Sequence, residues 1–435
     1  MDILIQSIIV IAVIVLGART SGVGLGIWGF VGLFVLVFFC GLVPASPPID
    51  VLLIILAVVT AASMMDACGG VDYLVRIGSR IVRANPKHIT FIAPTLTWFF
   101  TVLTGTSHTM YPLLPVIYEV SVSNKIRPER PLAAATVSSM AGITASPVSA
   151  ATAAMLAIMA PHGYSLVDIL IVTVPSSFIG VILSCVYSLY VGKDLKDDPV
   201  YLDKLKRGEI HQVELNNETP IPAAGRRAAL IFSLGVVWVI LCGLFPVLRS
   251  VPGSDTTLSM STTLQIFMMT LAAIIYIFCR PKIEEVVKTP TIRAGLTALI
   301  SIFGLAWLGD TFIGEHKTLL LDTIGYYATA YPWSFAFVLF FTSVVLFSQA
   351  ATIRTVMPLG LTLGIPPVFL IGLYNAPNTH YFLPTYGNLV AAIAFDQTGT
   401  TRIGRFILNH SFMIPGLIQS GVSIILGIAL ANIFL

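Results

Sequence analysis

Phe99-Phe100-Thr101-Val102-Leu103-Thr104-Gly105-Thr106-Ser107-His108-Thr109-Met110-Tyr111-Pro112 sets a polar run, Thr104 to Thr109, inside an apolar stretch from 89 to 122. A straight span would leave those hydroxyls, an imidazole and the backbone of a glycine break in hydrocarbon, where nothing satisfies them. The stretch is therefore read as a re-entrant hairpin with the polar run at its tip. A second apolar segment, 333–364, is interrupted in the same way by Ser348-Gln349-Ala350-Ala351-Thr352 and takes the same reading.

The rest of the chain fits a membrane setting. Of 435 residues, 56% are hydrophobic and 10% charged, too little charge for the water-facing surface of a soluble chain this long. Apolar runs near 3–17, 23–43, 50–67, 132–159, 166–190, 228–247, 259–279, 294–309, 367–395 and 406–434 predict ten crossings. Each approaches the ~20 residues a helix needs to cross ~30 Å of hydrocarbon. Strand-type alternation is absent, which excludes an outer-membrane barrel. A net charge of +3 is too small for a nucleic-acid-binding surface, and the apolar runs leave no place for one. A soluble enzyme and a secreted disulfide scaffold are disfavoured with it. Cys40, Cys68, Cys185, Cys242 and Cys279 lie in or at the ends of apolar runs without metal-knuckle spacing, and read as small core residues. The first run has no basic segment before it and no cleavage site, so it reads as a retained span.

Charge sets the orientation. With the N-terminus outside, 21 of the 24 Lys and Arg fall on one side, leaving Arg249 and Lys317 outside and Arg354 in the second hairpin. That asymmetry is what the positive-inside rule expects, and it puts both termini in the periplasm. Landmarks then recur between the halves: Asp66 with Asp310, Pro86 with Pro332, Pro115 with Pro358, Pro147 with Pro384. Five crossings and one hairpin per half force the second half to insert upside down. The predicted fold is an all-α polytopic membrane protein of two inverted-topology repeats, each five transmembrane helices plus one re-entrant hairpin. The first repeat spans 1–190 with hairpin 89–122, a cytoplasmic linker spans 191–227, and the second repeat spans 228–435 with hairpin 333–364. Such repeats belong mainly to secondary transporters.

Four polar clusters fall at membrane depth: the two tips and two helix breaks, Thr144-Ala145-Ser146-Pro147-Val148-Ser149 and Pro384-Thr385-Tyr386-Gly387-Asn388. Broken backbone persists there only where it lines a cavity or is packed in protein. The candidate substrate-binding residues are Thr106, Ser107, His108 and Thr109; Ser146, Pro147 and Ser149; Ser348, Gln349, Thr352 and Arg354; and Pro384, Thr385 and Asn388. Half-helix N-termini suit carboxylates, while hydroxyls and carbonyls suit a small cation. The competing reading is proline kinks with Ser and Thr bonded back to their own helices. Arg354, the one basic residue at depth, needs a partner, a water-lined cavity or a route for its stem to the surface; a substrate carboxylate is one such partner. Asp66 and Asp310, at span ends, read as caps or interface residues. Arg76, Arg80 and Arg83 share one face of an amphipathic helix. Arg83 and Arg127 form a candidate anion funnel, with anchoring to lipid headgroups as the alternative. No nucleophile–base pair or metal-ligand helix appears, so neither an enzyme nor a cofactor is expected. H+ and Na+ are both candidate coupling ions, and a cation/proton antiporter of similar architecture is the alternative function.

Specific motifs carry a family likeness. Gly17-Ala18-Arg19, Gly69-Gly70-Val71-Asp72-Tyr73-Leu74, Asn85-Pro86-Lys87, Ile126-Arg127-Pro128-Glu129-Arg130-Pro131, Thr144-Ala145-Ser146-Pro147, Ser348-Gln349-Ala350-Ala351, Leu383-Pro384-Thr385-Tyr386 and Asp396-Gln397-Thr398-Gly399-Thr400-Thr401-Arg402-Ile403-Gly404 span nearly the whole chain. Together they resemble the anaerobic C4-dicarboxylate transporters of the Dcu A/B family. The resemblance implies a bacterial inner-membrane carrier for fumarate, succinate, malate and aspartate, exchanging fumarate for succinate in anaerobic respiration. It also implies the ion-transporter superfamily, with two re-entrant hairpins and elevator-type movement. The partners it allows are the C4-dicarboxylates, the lipid bilayer, a second copy of the chain and a sensor kinase.

Overall fold

Gly, Pro and capping Ser residues divide the apolar sequence into helices, in a computed structural model that describes residues 3–20, 23–208, 210, 222–254, 256–320, 326–346, 348–383, 386–404 and 409–435. The first half contains α1 (Ile3–Thr20), α2 (Gly24–Phe38), α3 (Ile49–Ala67), α4 (Gly70–Ala84), α5 (Ile89–Thr104), α6 (Leu114–Ser123), α7 (Glu129–Ala141), α8 (Ala150–Met159) and α9 (Leu166–Leu189). A short α10 (Pro199–Lys206) follows, then α11 (Ala223–Leu244), α12 (Met260–Cys279), α13 (Ile283–Val286) and α14 (Pro290–Glu315). After the single turns α15 (Lys317–Leu320) and α16 (Tyr326–Ala330) come α17 (Phe335–Leu346), α18 (Gln349–Thr362), α19 (Pro367–Gly372), α20 (Gly387–Phe395) and α21 (Met413–Phe434). No β-strand occurs among the described residues.

Among the described residues, α3, α9, α11, α12, α14 and α21 are long and apolar enough to cross a membrane. Their flanks expose large aliphatic side chains, Leu53, Leu234, Ile277 and Ile425 among them. Water penalises such continuous apolar surface and lipid does not, so the chain is an all-α, multi-pass membrane protein. The limbs of the two hairpins are shorter: α5 and α6 have 16 and 10 residues, α17 and α18 have 12 and 14. None of the four reaches the ~20 residues of a straight crossing.

Two of the ten expected spans are not single helices. The span 132–159 is α7 and α8 with the backbone broken between them around Pro147, which lacks a donor and clashes with the preceding turn. Span 367–395 is α19 and α20, and its break is longer than the sequence reading has it. It begins at the 3-10 turn Leu373–Asn375 and includes Pro377, earlier than Pro384. Pro384 and Thr385 themselves lie outside the described residues.

Packing sorts the helices into two groups. In the first, α14 packs on α2 and α3, α3 on α12, and α12 on α11. α2 and α14 meet backbone to backbone: a Cβ on Gly304 would stand 2.0 Å from the Gly26 carbonyl oxygen, so this crossing needs glycine. The second group joins α5 to α7, α7 to α9, α9 to α21 and α8 to α18. The groups meet where α14 packs on α18 and α3 on α8. Amphipathic α4 bridges them, touching α11 on one side and α5 and α6 on the other.

The start of the expected linker is docked rather than free. Arg127 is 5% exposed, with Nε donating to Glu129 Oε2 at 2.6 Å and Nη1 donating to Asp198 Oδ2 at 2.5 Å. The other Asp198 oxygen accepts from the amides of Val200 and Tyr201, which caps α10. Arg130 donates to the Val191 carbonyl, and Lys204 to the Gln397 carbonyl. Residues 209 and 211–221 of the linker lie outside the described residues. Burial alone would raise the Asp198 pKa, but the Tyr201 amide and the Arg127 guanidinium outweigh it and hold the carboxyl below its ordinary value. A depressed folded pKa contributes stability above the unfolded value of about 3.9, lost as pH falls through the folded value. The dock is therefore expected to stay closed from neutral pH to about pH 5 and to open only in stronger acid. Losing the Asp198 contact costs about 1.5–3 kcal/mol by the usual worth of charged hydrogen bonds. Asp198→Ala should thus speed tryptic cleavage at Lys193 and Lys196 about tenfold at neutral pH. Equal cleavage rates in limited proteolysis would refute the dock.

Candidate functional site

The junction of the two helix groups encloses a cavity of about 830 Å³. Its floor is made by the hairpin tips. α5 stops at Gly105, which is left-handed at φ +74°, and Thr106 then caps a 3-10 turn from Ser107 to Leu113 by accepting from the His108 amide. Thr106, Ser107, His108 and Thr109 all reach the cavity, and His108 stacks on Tyr111 with ring centroids 5.7 Å apart. From the second tip come Ser348, which caps α18 by accepting from the Ala351 amide, and Gln349. The first break contributes Ile143, Val148, Ala150 and Ala151; the second contributes His380, stacked on Tyr386 at 4.6 Å. Both tips and both breaks therefore border one space, the first break through apolar residues alone. The opposite wall is Val58 to Asp66 of α3 and Pro290 to Ser301 of α14, with exposed Asp72 and Arg293 at its edge.

Other expected residues support these without lining the cavity. Ser146 is fully buried and accepts from the Val148 amide at 3.3 Å; Pro147 beside it is buried. Ser149 caps α8 and hydrogen-bonds Thr152, which meets the Tyr374 hydroxyl at 3.0 Å. Thr352 donates back to the Ser348 carbonyl at 2.8 Å. Asn388 donates to Ser107 Oγ at 3.1 Å and accepts from the Tyr111 hydroxyl at 2.8 Å, so it positions the first tip.

Two charged residues sit elsewhere than expected. Arg354 does not line the cavity: its Nη2 donates to Asp310 Oδ2 at 2.8 Å, and Asp310 lies inside α14 rather than at a span end. A protein carboxylate, rather than a substrate, is the partner that a charge at this depth requires. Arg127 is enclosed by Glu129 and Asp198, which removes it from any open funnel, because two carboxylates already neutralise it. Arg83 is half exposed and pairs with Glu119 at 3.2 Å.

Polar groups absent from the sequence-based set hold the breaks together. Asn375 accepts from Thr144 at 2.6 Å and donates to Ser176 at 2.9 Å. Gln349 Nε2 donates to the Met140 carbonyl at 3.1 Å and to Asn378 Oδ1 at 3.2 Å, and Asn378 in turn donates to Gln419. The second hairpin thus adds a side-chain donor to a carbonyl at the end of α7 that also accepts from the Ile143 amide, and so ties the broken helix to the tip. The available signal was Asn375-Ala376-Pro377-Asn378-Thr379-His380, a polar run within an apolar span.

Long apolar helices around a cavity bordered by two helical hairpin tips define a multi-pass membrane protein organised about a central site. Comparison with known proteins carries this further. A family model described as anaerobic C4-dicarboxylate membrane transporter matches residues 2–435, and the chain belongs to that family. It is 38% identical to the C4-dicarboxylate transporter DcuA of Wolinella succinogenes, with 99% of each chain covered. It is 36% identical to the anaerobic C4-dicarboxylate transporter DcuB of Escherichia coli O6:H1, with 97% of each covered. A solved structure of MtrF from Neisseria gonorrhoeae, described with a class of antimetabolite efflux pumps, aligns at 13% identity and a TM-score of 0.47. It covers 93% of this chain and 84% of that one.

Proposed function

We propose that the protein is a secondary transporter that carries C4-dicarboxylates such as fumarate, succinate, malate and aspartate across the bacterial inner membrane. The observation that carries the proposal is the convergence of both hairpin tips and both helix breaks on one cavity. The first turns of α8 and α18 both border that cavity through Ala150, Ala151, Gln349 and Ala350. Each offers free N–H groups and the positive end of a helix dipole, a pair of receptors suited to the two carboxylates of one substrate. The reading extends to exchange of fumarate against succinate by an elevator-type movement. The group holding the hairpins would travel against α2, α3, α11, α12 and α14, within two inverted repeats with periplasmic termini. The kinase partnership and self-association implied by the family likeness belong to the same proposal.

Proteoliposomes loaded with succinate are expected to take up labelled fumarate, and to release label when succinate is added outside. A cation/proton antiporter would move no organic anion, so absence of exchange in both directions would overturn the reading.

A further inference from the structure

We propose that Asp66 binds the proton that couples transport to the pH gradient. The inference rests on the carrier reading above. Sequence position reads Asp66 as a span-end cap or interface residue, and in the last turn of α3 it also lines the cavity that the hairpin tips border. It is partly buried, and its Oδ2 accepts from Thr291 Oγ1 of α14 at 2.7 Å. No Lys, Arg or His among the described residues pairs with it. The charged and titratable groups around it are Asp72 at the start of α4, Arg293 in the first turn of α14, and Arg227 on α11 beside Cys68 and Cys279. Glu284 and Glu285 are on α13, which packs against α3, and His108 is on the tip across the cavity. Arg293 and Asp72 are exposed at the cavity edge, so a proton reaches Asp66 from that side without crossing the hydrophobic core.

Electrostatics makes the coupling. An ionised Asp66 and a dicarboxylate dianion repel each other across one low-dielectric cavity, and protonation of Asp66 removes that repulsion. Proton and substrate therefore favour each other's binding by the same factor, since linkage is reciprocal. Nothing is oxidised or transferred covalently; one H+ joins the carboxylate as the substrate binds and leaves it as the substrate leaves. An unpaired carboxyl at the wall of a membrane cavity is where such relays occur in pumps and transporters.

The test uses full-length protein in proteoliposomes, comparing succinate/fumarate exchange with succinate accumulation driven by an acid-outside gradient. Asp66→Asn is expected to lower the ratio of gradient-driven accumulation to exchange by about tenfold or more, within the usual range of coupling factors. Thr291→Val removes the hydrogen bond that favours the ionised form, and should move the pH midpoint of accumulation upward. If wild-type protein exchanges substrate but Asp66→Asn keeps the full gradient response, the proton-site assignment is wrong and the carrier reading stands. A response that follows sodium rather than pH overturns the assignment as well. If wild-type protein exchanges nothing, the carrier reading itself fails. Where Asp66→Asn is not recovered, an unchanged pH profile in Thr291→Val decides against the assignment.

Discussion

Arg354→Gln is expected to destabilise the protein by about 3–5 kcal/mol, the usual cost of removing one partner from a buried ion pair. The side chains of Arg354 and Asp310 are 14% and 17% exposed, so water screens little of the charge left on Asp310. Asp310→Asn should cost a similar amount by stranding the guanidinium. The pair is also imperfectly solvated by protein: Arg354 Nε and the neighbouring Thr355 hydroxyl are buried without a partner. A pair with that defect contributes little over an apolar contact of equal volume, and replacing both members often restores stability. The double variant Arg354→Met with Asp310→Leu should therefore recover most of the loss. Thermal unfolding in detergent measures all three. A double variant as unstable as either single one would show that the charges, rather than the packing of α14 on α18, hold this contact. The pair joins the hairpin group to the opposite wall, so exchange by the recovered double variant then reports whether the bond also selects this conformation.

How much of this was readable beforehand depended on the scale of the signal. Long apolar helices leave an unmistakable pattern, and the runs at 50–67, 166–190 and 259–279 match α3, α9 and α12 to within two residues. The tip at Thr104–Thr109 was equally plain, because six polar or glycine residues inside an apolar stretch have few structural uses. The second break starts earlier than expected because Pro384 is the stronger punctuation and hides the turn at Leu373–Asn375. Asn375 does the work there through side-chain bonds to Thr144 and Ser176 about 200 residues away, and Asn378 through Gln349 and Gln419 on other helices. The charged residues were harder still. Depth alone says that Arg354 needs a partner, but only the packing of α14 against α18 decides between Asp310 and a ligand. In the same way, the turn of α3 that borders the cavity is set by its neighbours, so a span-end position alone does not show that Asp66 lines the wall.

Gly105→Ala is expected to reduce exchange at least tenfold, and the reason separates two effects that glycine substitutions usually mix. Gly105 is left-handed at φ +74°, where a side chain costs about 1–2 kcal/mol. Gly163, at φ +89°, carries the same backbone cost but has open space around it: a Cβ there would meet nothing within 4 Å. At Gly105 a Cβ would stand 2.6 Å from the Val148 carbonyl oxygen and 3.0 Å from its carbon. Both atoms are backbone of the first helix break, which cannot swing aside as a long side chain can. The tip must move away from the break, and Thr106, Ser107, His108 and Thr109 move with it, out of register with Ser348 and Gln349. Site groups need to hold their geometry to about 0.5 Å, so a shift of this kind costs affinity or rate even when the fold survives. Gly163→Ala should lose stability of the same order and keep its exchange. Measuring unfolding and counterflow for both variants isolates the contact from the strain. Equal losses of exchange in the two would mean that left-handed strain alone explains Gly105, and that the tip does not rest on the break in the working protein.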